Sequence, residues 1–542
     1  MLKKLHGRKL AVCLIGGAMY ALFSAFGWQA EHGGVIWAGG ALLVAALLVW
    51  PIAALLAVLL ERGYTRALRQ EKTFRAGRAF AFMLACYVPM FCVAFPGSFA
   101  YDVPYQLRQV VTGAYSTHHP LLHTLALGGL LQLGRALGDI NLGAALYTAL
   151  QMALLAGCFA LTCGSIARQS GARAAKRAAV FFALYPLNMV MAVNATKDVL
   201  FGGFFALTLA LLNEIQEKPS RGLALKIAVC GALAVMLRNN MAYAALVWLA
   251  ILTIGLRKAE KSAALAMLLA LAVGLCGNAA LKHATRAESG DMSEMLSWPI
   301  QQLARARLYD EDRLTDAEKE AIDELMPGGA WACYDPTISD PVKFEFDTQT
   351  FRADVKKYVG VWLSVGKKCA GTYLDATMAL TYPFFYPYRE YRVSGYYVQM
   401  GMSDAYDAGW CDFDPPESRS LFPRVLASLS WRFGAKGAMQ IPVVGWLFNM
   451  GVIVWTMLFF ALREMYWGRW RRFGTALLPV LLWGTFLLGP VMAGRYIYPF
   501  VCALPVLAAR PGRSVNVNGK VSDMQESQIP AGIRGGYRHE IG

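Results

Sequence analysis

The sequence predicts an all-α polytopic membrane protein of about twelve transmembrane helices, with a mixed, mainly helical extracytoplasmic region. Three observations carry that expectation. Of 542 residues, 56% are hydrophobic and only 16% are charged, against about 25% charged in a typical soluble domain. The apolar residues gather into runs close to the ~20 residues a helix needs to cross a bilayer. Charge is also segregated: Lys282–Gln440 holds 23 of the 36 acidic and 18 of the 52 basic residues, a net −5, which leaves the rest at +21. Lys and Arg retained in short cytoplasmic loops produce such a division, so the overall +16 is not a nucleic-acid footprint. Disorder, fibrous structure and an ordinary water-soluble enzyme are excluded by the same composition.

The run Leu10–Trp28 follows Lys3, Lys4, Arg8 and Lys9. It is too long for a signal peptide, and Gly34–Leu60 follows at once, so both are expected as retained membrane helices. Further spans are expected at Ala79–Phe95, Gly143–Ala167, Ala178–Val193, Val199–Ile215, Gly222–Leu237, Met241–Leu256, Ala263–Leu281, Pro442–Leu462, Thr475–Val491 and Tyr496–Ala509. The basic loops Arg62–Arg78, Arg168–Arg177, Arg257–Lys261 and Arg463–Arg472 should face the cytoplasm, with both termini. Phe95–His119, Asn194–Asp198, Arg238–Asn240 and the long stretch from Lys282 should face outward. Pro120–Leu137 is apolar enough to cross, but counting it would turn Arg168–Arg177 outward. The four-fold basic loop is the stronger signal, so Pro120–Leu137 is expected as a juxtamembrane or half-inserted helix.

The organisation that follows is a helix pair and basic loop (1–78), a membrane core (79–281) with its first large external loop at 96–137, an extracytoplasmic domain (282–441), C-terminal membrane helices (442–510) and a disordered cytoplasmic tail (511–542). Within the external domain, Thr315 followed by Glu318 is a capping box that starts a helix. Trp362–Leu380 is amphipathic, with Lys367 and Lys368, and suits a helix lying on the membrane surface. Thr381–Tyr397 is rich in tyrosine and suits an interfacial aromatic belt. Of the eleven cysteines, eight lie in apolar runs as small hydrophobes. Cys333, Cys369 and Cys411 lie in the acidic stretch, where two can pair, and the spacing does not say which. No CxxC or His-rich metal spacing appears.

Ionisable residues at a membrane boundary are expensive, so they are the first place to look for chemistry. Asp102 is an isolated carboxylate in the first large external loop, set among Phe99, Tyr101 and Tyr105 and following the helix-breaking Pro96-Gly97. It suits general-base work on a hydroxyl, or more simply a solvated loop residue or a helix cap. His118-His119 closes the same loop, and adjacent histidines point apart, which suits hydrogen bonding to phosphate or sugar better than a shared metal. Asn194-Ala195-Thr196-Lys197-Asp198 joins two apolar runs. There Asp198 can cap the next helix while Lys197 snorkels, or the pair can make an anion site. Arg238 and Arg495 each stand alone between apolar runs, the latter beside Tyr496 and Tyr498, as fork-shaped ligands for phosphate or as helix anchors.

In these features the chain resembles the GT-C superfamily of membrane glycosyltransferases, which take a sugar from a polyprenyl-phosphate or related lipid carrier at the outer face. The resemblance rests on Asp102, on His119-Pro120-Leu121-Leu122, on Asp198 after further helices, and on Arg495-Tyr496 with Tyr498-Pro499. It is nearest to an uncharacterised bacterial group within that superfamily, in which runs similar to 297–305 and 334–343 recur. It spans about Ala79–Ala509, with the first two helices as an addition. The resemblance implies inverting transfer with Asp102 as base. Lys197, Arg238, Arg495, Tyr496 and Tyr498 would hold the donor phosphate and lipid. Tyr101, Gln106, His118, His119, Asn194 and Asp198 would position substrate, and Gln301, Gln302 and Arg305 would close the groove over the acceptor. That acceptor is a lipid, a cell-wall glycan or a protein, with membrane lipids as the surrounding partners. The superfamily's adjacent acidic pair is missing from the first external loop, so no metal is assigned. A lipid-linked-glycan transporter or flippase, or a polysaccharide polymerase or ligase, is the alternative. A transporter is disfavoured by the absence of an internal repeat and by polar sites gathered at one face.

Overall fold

The computed structural model describes residues 5–32, 39–62, 73–100, 102–255, 258–387, 400–402, 415–434 and 443–510. Tyr101, Cys411 and the tail after residue 510 therefore lie outside the described residues. Among those described the chain is helical, with isolated bridges in place of strands. The first half runs α1 (Arg8–His32), α2 (Gly39–Arg62), α3 (Ala76–Ala94), α4 (Val103–Thr112), α5 (Leu121–Ala136), α6 (Ile140–Ser170), α7 (Ala172–Leu184), α8 (Pro186–Ala192), α9 (Lys197–Glu217), α10 (Arg221–Leu237), α11 (Asn239–Gly255) and α12 (Lys258–Thr285).

Among the described residues six helices are long and apolar enough to cross a membrane: Arg8–His32, Gly40–Glu61, Ala76–Ala94, Ile140–Ser170, Lys197–Glu217 and Lys261–Thr285. Each of the other expected spans falls on shorter helix. One is broken: Ala178–Val193 divides into α7 and α8 because Pro186 opens a new helix and holds Tyr185 extended. Pro120–Leu137 becomes α5, whose 16 residues reach about 24 Å. It then reverses through Gly138, in the left-handed region, and packs back along α6.

α9 is the centre of the bundle and is buried along most of its length. A helix apolar on all sides belongs inside. Gly202 and Gly203 let its neighbours close in: a Cβ on Gly202 would stand 2.9 Å from Cys502 Sγ, and one on Gly203 would stand 3.2 Å from Cys158 Cβ. At the periphery α6 leaves Leu142, Leu146, Leu150 and Leu154 exposed, one stripe at four-residue spacing that suits lipid.

The acidic stretch builds its own helical region: α13 (Ser297–Tyr309), α14 (Asp316–Leu325), α15 (Asp340–Lys343), α16 (Thr348–Ala353), α17 (Val355–Lys368) and α18 (Ala370–Thr381). Ile300, Leu303, Ile322, Leu325 and Val365 form a core separate from that of the bundle. The capping box is present in full, with Thr315 and Glu318 satisfying each other's backbone N–H groups. Trp362–Leu380 is not one surface helix. It breaks at Cys369, and α18 turns back so that the Tyr373 hydroxyl donates to Trp362 O. The Tyr358 and Val365 side of α17 is taken by the region's own core. Cys333 and Cys369 are both free thiols.

The tyrosine-rich segment corrects a second expectation. Tyr382, Phe384, Phe385 and Tyr386 are buried in the bundle rather than set in an interfacial belt. Phe385 stacks on Phe23 of α1 at 4.9 Å, and Trp455 donates to its carbonyl. Residues 388–397 lie outside the described residues. The chain then continues through α19 (Pro423–Gly434), α20 (Met450–Tyr466), α21 (Trp470–Leu487) and α22 (Tyr498–Ala508).

Candidate functional site

Two connecting segments, far apart in sequence, are laced together beside the start of α9. After α3 the chain turns at Pro96-Gly97. Gly97 has φ +144°, and a Cβ there would stand 2.2 Å from Thr148 Oγ1, so the turn needs glycine. Ser98 N then donates to Val193 O, and Ala195 N donates to Ser98 O, each at 2.8 Å. Phe99 N donates to Gly401 O, which adds a third segment. This lacing sets Asp102, which precedes α4, opposite Lys197, the first residue of α9.

Asp102 holds three contacts. Lys197 Nζ donates to its Oδ2 at 2.9 Å. Arg495 spans the carboxylate with both terminal nitrogens, each at 3.3 Å, the bidentate fork that suits carboxylate or phosphate. His119 Nδ1 lies 3.7 Å away. Asp102 caps nothing: it makes no side-chain bond to the α4 backbone. Asp198 is the second carboxylate. It is not the cap of α9 but sits in its first turn, ion-paired to Arg238, with Arg495 Nε at 3.8 Å and the Thr196 hydroxyl donating at 3.2 Å. Lys197 does not snorkel; its ammonium turns inward to Asp102. Arg238, in the extended turn between α10 and α11, lies 4.5 Å from the ring centroids of both Phe486 and Tyr496. Arg495 stands 5.3 Å over Tyr496. Cations on aromatic faces gain from the ring quadrupole.

Exposure grades across the cluster. The Asp198 side chain is 0% exposed, Arg238 8%, Arg495 10%, Lys197 13% and Asp102 22%. Asp102 is thus the carboxylate a ligand can reach. Burial pushes its pKa up, but Arg495 and Lys197 outweigh that and hold it well below the usual carboxylate range. Burial, only partly offset by Asp102, pushes the His119 imidazole down to about 3, which leaves it neutral.

Behind this cluster runs a buried polar chain. Gln106 bonds His123 Nδ1 at 2.9 Å and donates to Thr124 Oγ1. His123 Nε2 meets the Tyr147 hydroxyl at 2.9 Å, and Tyr147 donates to Gln151. Gln151 in turn donates to the carbonyls of Ala192 and Asn194. The chain ties α4 and α5 to the segment carrying Lys197.

Of the residues expected from sequence, Asp102, His119, Lys197, Asp198, Arg238, Arg495 and Tyr496 are brought together. Gln106 and Asn194 stand one layer behind, as support. His118 is exposed and packs its ring edgewise on His119 at 4.5 Å. Tyr498 is not at the cluster; it is buried in the core against Gly202 of α9. Gln301, Gln302 and Arg305 are likewise committed elsewhere. Gln301 donates to the carbonyls of Asp335 and Ile338, Gln302 joins Thr377 to Trp362, and Arg305 donates to the Tyr334 hydroxyl. Their reach to the cluster is indirect. The turn Gln301 holds pairs with Val491, Ser339 N donates to Pro490 O, and Trp298 donates to Leu487 O, all on the segment leading to Arg495.

Sequence reasoning missed Phe486, Tyr147 and Gln151. Tyr147 and Gln151 stand four apart within an apolar run, a polar stripe that is readable in advance; Phe486 carried no signal. Among the described residues no group of three His, Cys, Asp or Glu is placed to hold a metal ion.

No curated protein and no solved structure matches this chain. A family model does match residues 105–518, about three quarters of the chain, from three residues after Asp102 to beyond α22. His119, Lys197, Arg238 and Arg495 all fall inside the matched span, and the chain therefore belongs to the Family of unknown function (DUF6020).

Proposed function

We propose that the chain is a glycosyltransferase of the GT-C type, which moves a sugar from a polyprenyl-phosphate carrier to a lipid, glycan or protein acceptor at the outer face of the cell membrane. The observation that carries this reading is the carboxylate of Asp102 gripped by Arg495 and Lys197, with Arg238 on its aromatic platform beside them. Such a group of cations suits a phosphate, and the carboxylate at its accessible edge suits an incoming hydroxyl.

With Arg495 and Lys197 paired to it, Asp102 is a weak base, because these cations hold it ionised. A donor phosphate competes for the same Arg495 and Lys197. As they turn to the phosphate, Asp102 loses its partners, gains basicity and faces the acceptor hydroxyl. The acceptor oxygen attacks the anomeric carbon from the side opposite the leaving phosphate. Arg495 and Lys197 then meet the charge that develops on the departing oxygen. His119, neutral, has the Lys197 ammonium 3.5 Å from its Nδ1, which leaves the Nε2–H to donate to sugar or phosphate. Read with twelve crossings and both termini in the cytoplasm, an orientation that the short basic loops support, the cluster faces outward, where lipid-carried sugars are presented. Mass spectrometry of lipids and envelope glycans from cells with and without the gene tests the proposal: one glycan should lose a sugar while its prenyl-linked precursor accumulates. Identical profiles would refute it.

A further inference from the structure

The buried polar chain behind the cluster has a direction, legible from its far end. Gln151 Nε2 donates to two carbonyls, Ala192 O at 3.0 Å and Asn194 O at 2.9 Å, so its amide oxygen faces Tyr147. That oxygen has no proton to give, so the Tyr147 hydroxyl, 3.1 Å away, donates to it. With its one proton used, the Tyr147 oxygen accepts from His123 Nε2 at 2.9 Å. His123 is then the Nε2–H tautomer, and its bare Nδ1 accepts from Gln106 Nε2 at 2.9 Å. The same amide donates to Thr124 Oγ1, whose own proton goes to Pro120 O. All five side chains are buried, where a polar group that loses its partner has no ready substitute. The near end is tied to Asp102, because Gln106 N donates to Asp102 O one helical turn on. The far end grips residues 192–194, which lead into Lys197, the ion-pair partner of Asp102.

We infer that His123 and Tyr147 are positioning residues: the chain through them sets the spacing of Asp102 and Lys197 from behind the site and touches no ligand itself. A proton wire is the other use for such a chain, and the geometry is against it. It ends on two carbonyls, which neither give nor take a proton. Among the described residues no bond joins it to the Asp102 carboxylate, whose contacts are Lys197, Arg495 and His119. The backbone lacing through Ser98 holds Val193 and Ala195 as well, so the stretch before α9 is held by two independent sets of bonds. Two side chains keep one geometry only at an entropic cost, which backbone anchored at both ends reduces. Precision matters here, since misplacing a reacting group by about 1 Å costs about 100-fold in rate. The bearing of the chain on catalysis rests on the glycosyl-transfer reading above; its bearing on Lys197 does not.

The test uses the full chain in maltoside micelles. In protein isotope-labelled at the histidine ring nitrogens, NMR should show one ring, absent from His123→Gln, with a protonated Nε2 and a bare Nδ1. The opposite tautomer would overturn the direction of the chain and the inference with it. Lysines are then trace-labelled with acetic anhydride and read by mass spectrometry. Tyr147→Phe and His123→Leu should raise the labelling of Lys197 at least about fivefold, while Lys343, buried in the external region, stays as in the wild type. His123→Gln places an amide N–H near the position of Nε2 and should bring the labelling back toward the wild-type level. Unchanged Lys197 labelling in Tyr147→Phe protein that melts cooperatively would overturn the positioning role. An equal rise at Lys343 would overturn it too, because that marks general loosening. In cells, Tyr147→Phe and His123→Leu should slow formation of the glycosylated acceptor at least about tenfold, with His123→Gln recovering much of the rate. Lys197 labelling that rises while the acceptor is made at the wild-type rate would keep the positioning role and count against the transferase reading.

Discussion

Asp102 was legible in the sequence because an isolated carboxylate beside an apolar run must have partners. The same reasoning picked out Lys197, Asp198, Arg238 and Arg495, and the structure joins all five. It failed where side chains have a second use. Tyr498 stands three residues from Arg495 yet turns into the core, since the helix that begins there faces α9. Gln301 and Arg305 are spent on carbonyls and tyrosines of their own region. Two predictions belong at this scale. Arg495→Ala should raise the donor KM at least about tenfold, because it removes a bidentate charged contact; unchanged donor affinity would deny Arg495 the phosphate. The second concerns pH. Paired to its cations, Asp102 is held well below the usual carboxylate range and stays ionised as pH falls, while under the proposed mechanism a bound donor would draw those cations away and let its pKa rise. Because kcat/KM reports the free enzyme and kcat the loaded one, the acid limb of kcat should lie at higher pH than that of kcat/KM. Coincident limbs would mean the cations never leave Asp102.

Helices were predicted well from apolar length, and their interruptions less well. Pro186 was a visible breaker inside an expected span, and the division into α7 and α8 follows from it. The break at Cys369 had no such mark. It arises because Lys368 is drawn to Glu318 of α14 while Tyr373 folds back over Gly366, contacts made in three dimensions. Glu318 is itself a test of this element. Burial raises its pKa, but the bonds from Lys368, Thr315 and Ser364 win and hold it down to about 2. A carboxylate depressed on folding stabilises above its unfolded pKa, and that contribution fades as pH falls from about 4.5 toward 2. Glu318→Gln should therefore weaken hydrogen-exchange protection of α14 at pH 7 by about 2 kcal/mol, with the difference from wild type closing in acid. A pH-independent difference would trace the effect to packing instead.

At the scale of the whole molecule, the basic loops and the apolar runs together describe a chain that weaves through a bilayer. The structure adds how the pieces hold one another. α1 is bound in by Phe385 and Tyr386, which sequence alone placed at an interface. The acidic helical region docks on residues 487–491, just ahead of Arg495, so events in that region have a short path to the cluster. The orientation has a direct check. Single cysteines in Arg168–Arg177 should resist an impermeant thiol reagent in intact cells, in a background whose native cysteines are removed, whereas cysteines near Thr117 should react. The reverse pattern would put the cluster in the cytoplasm and end the proposal of an outer-face reaction.

The most direct trial is in membranes carrying Asp102→Asn at wild-type abundance. Asparagine keeps the size of the side chain and cannot take a proton. Lipid mass spectrometry should find the prenyl-phosphate-linked sugar accumulated and the glycosylated acceptor missing, as in cells without the gene. If the acceptor is made at the wild-type rate in that variant, Asp102 is not the base and the chemistry assigned to the cluster is wrong.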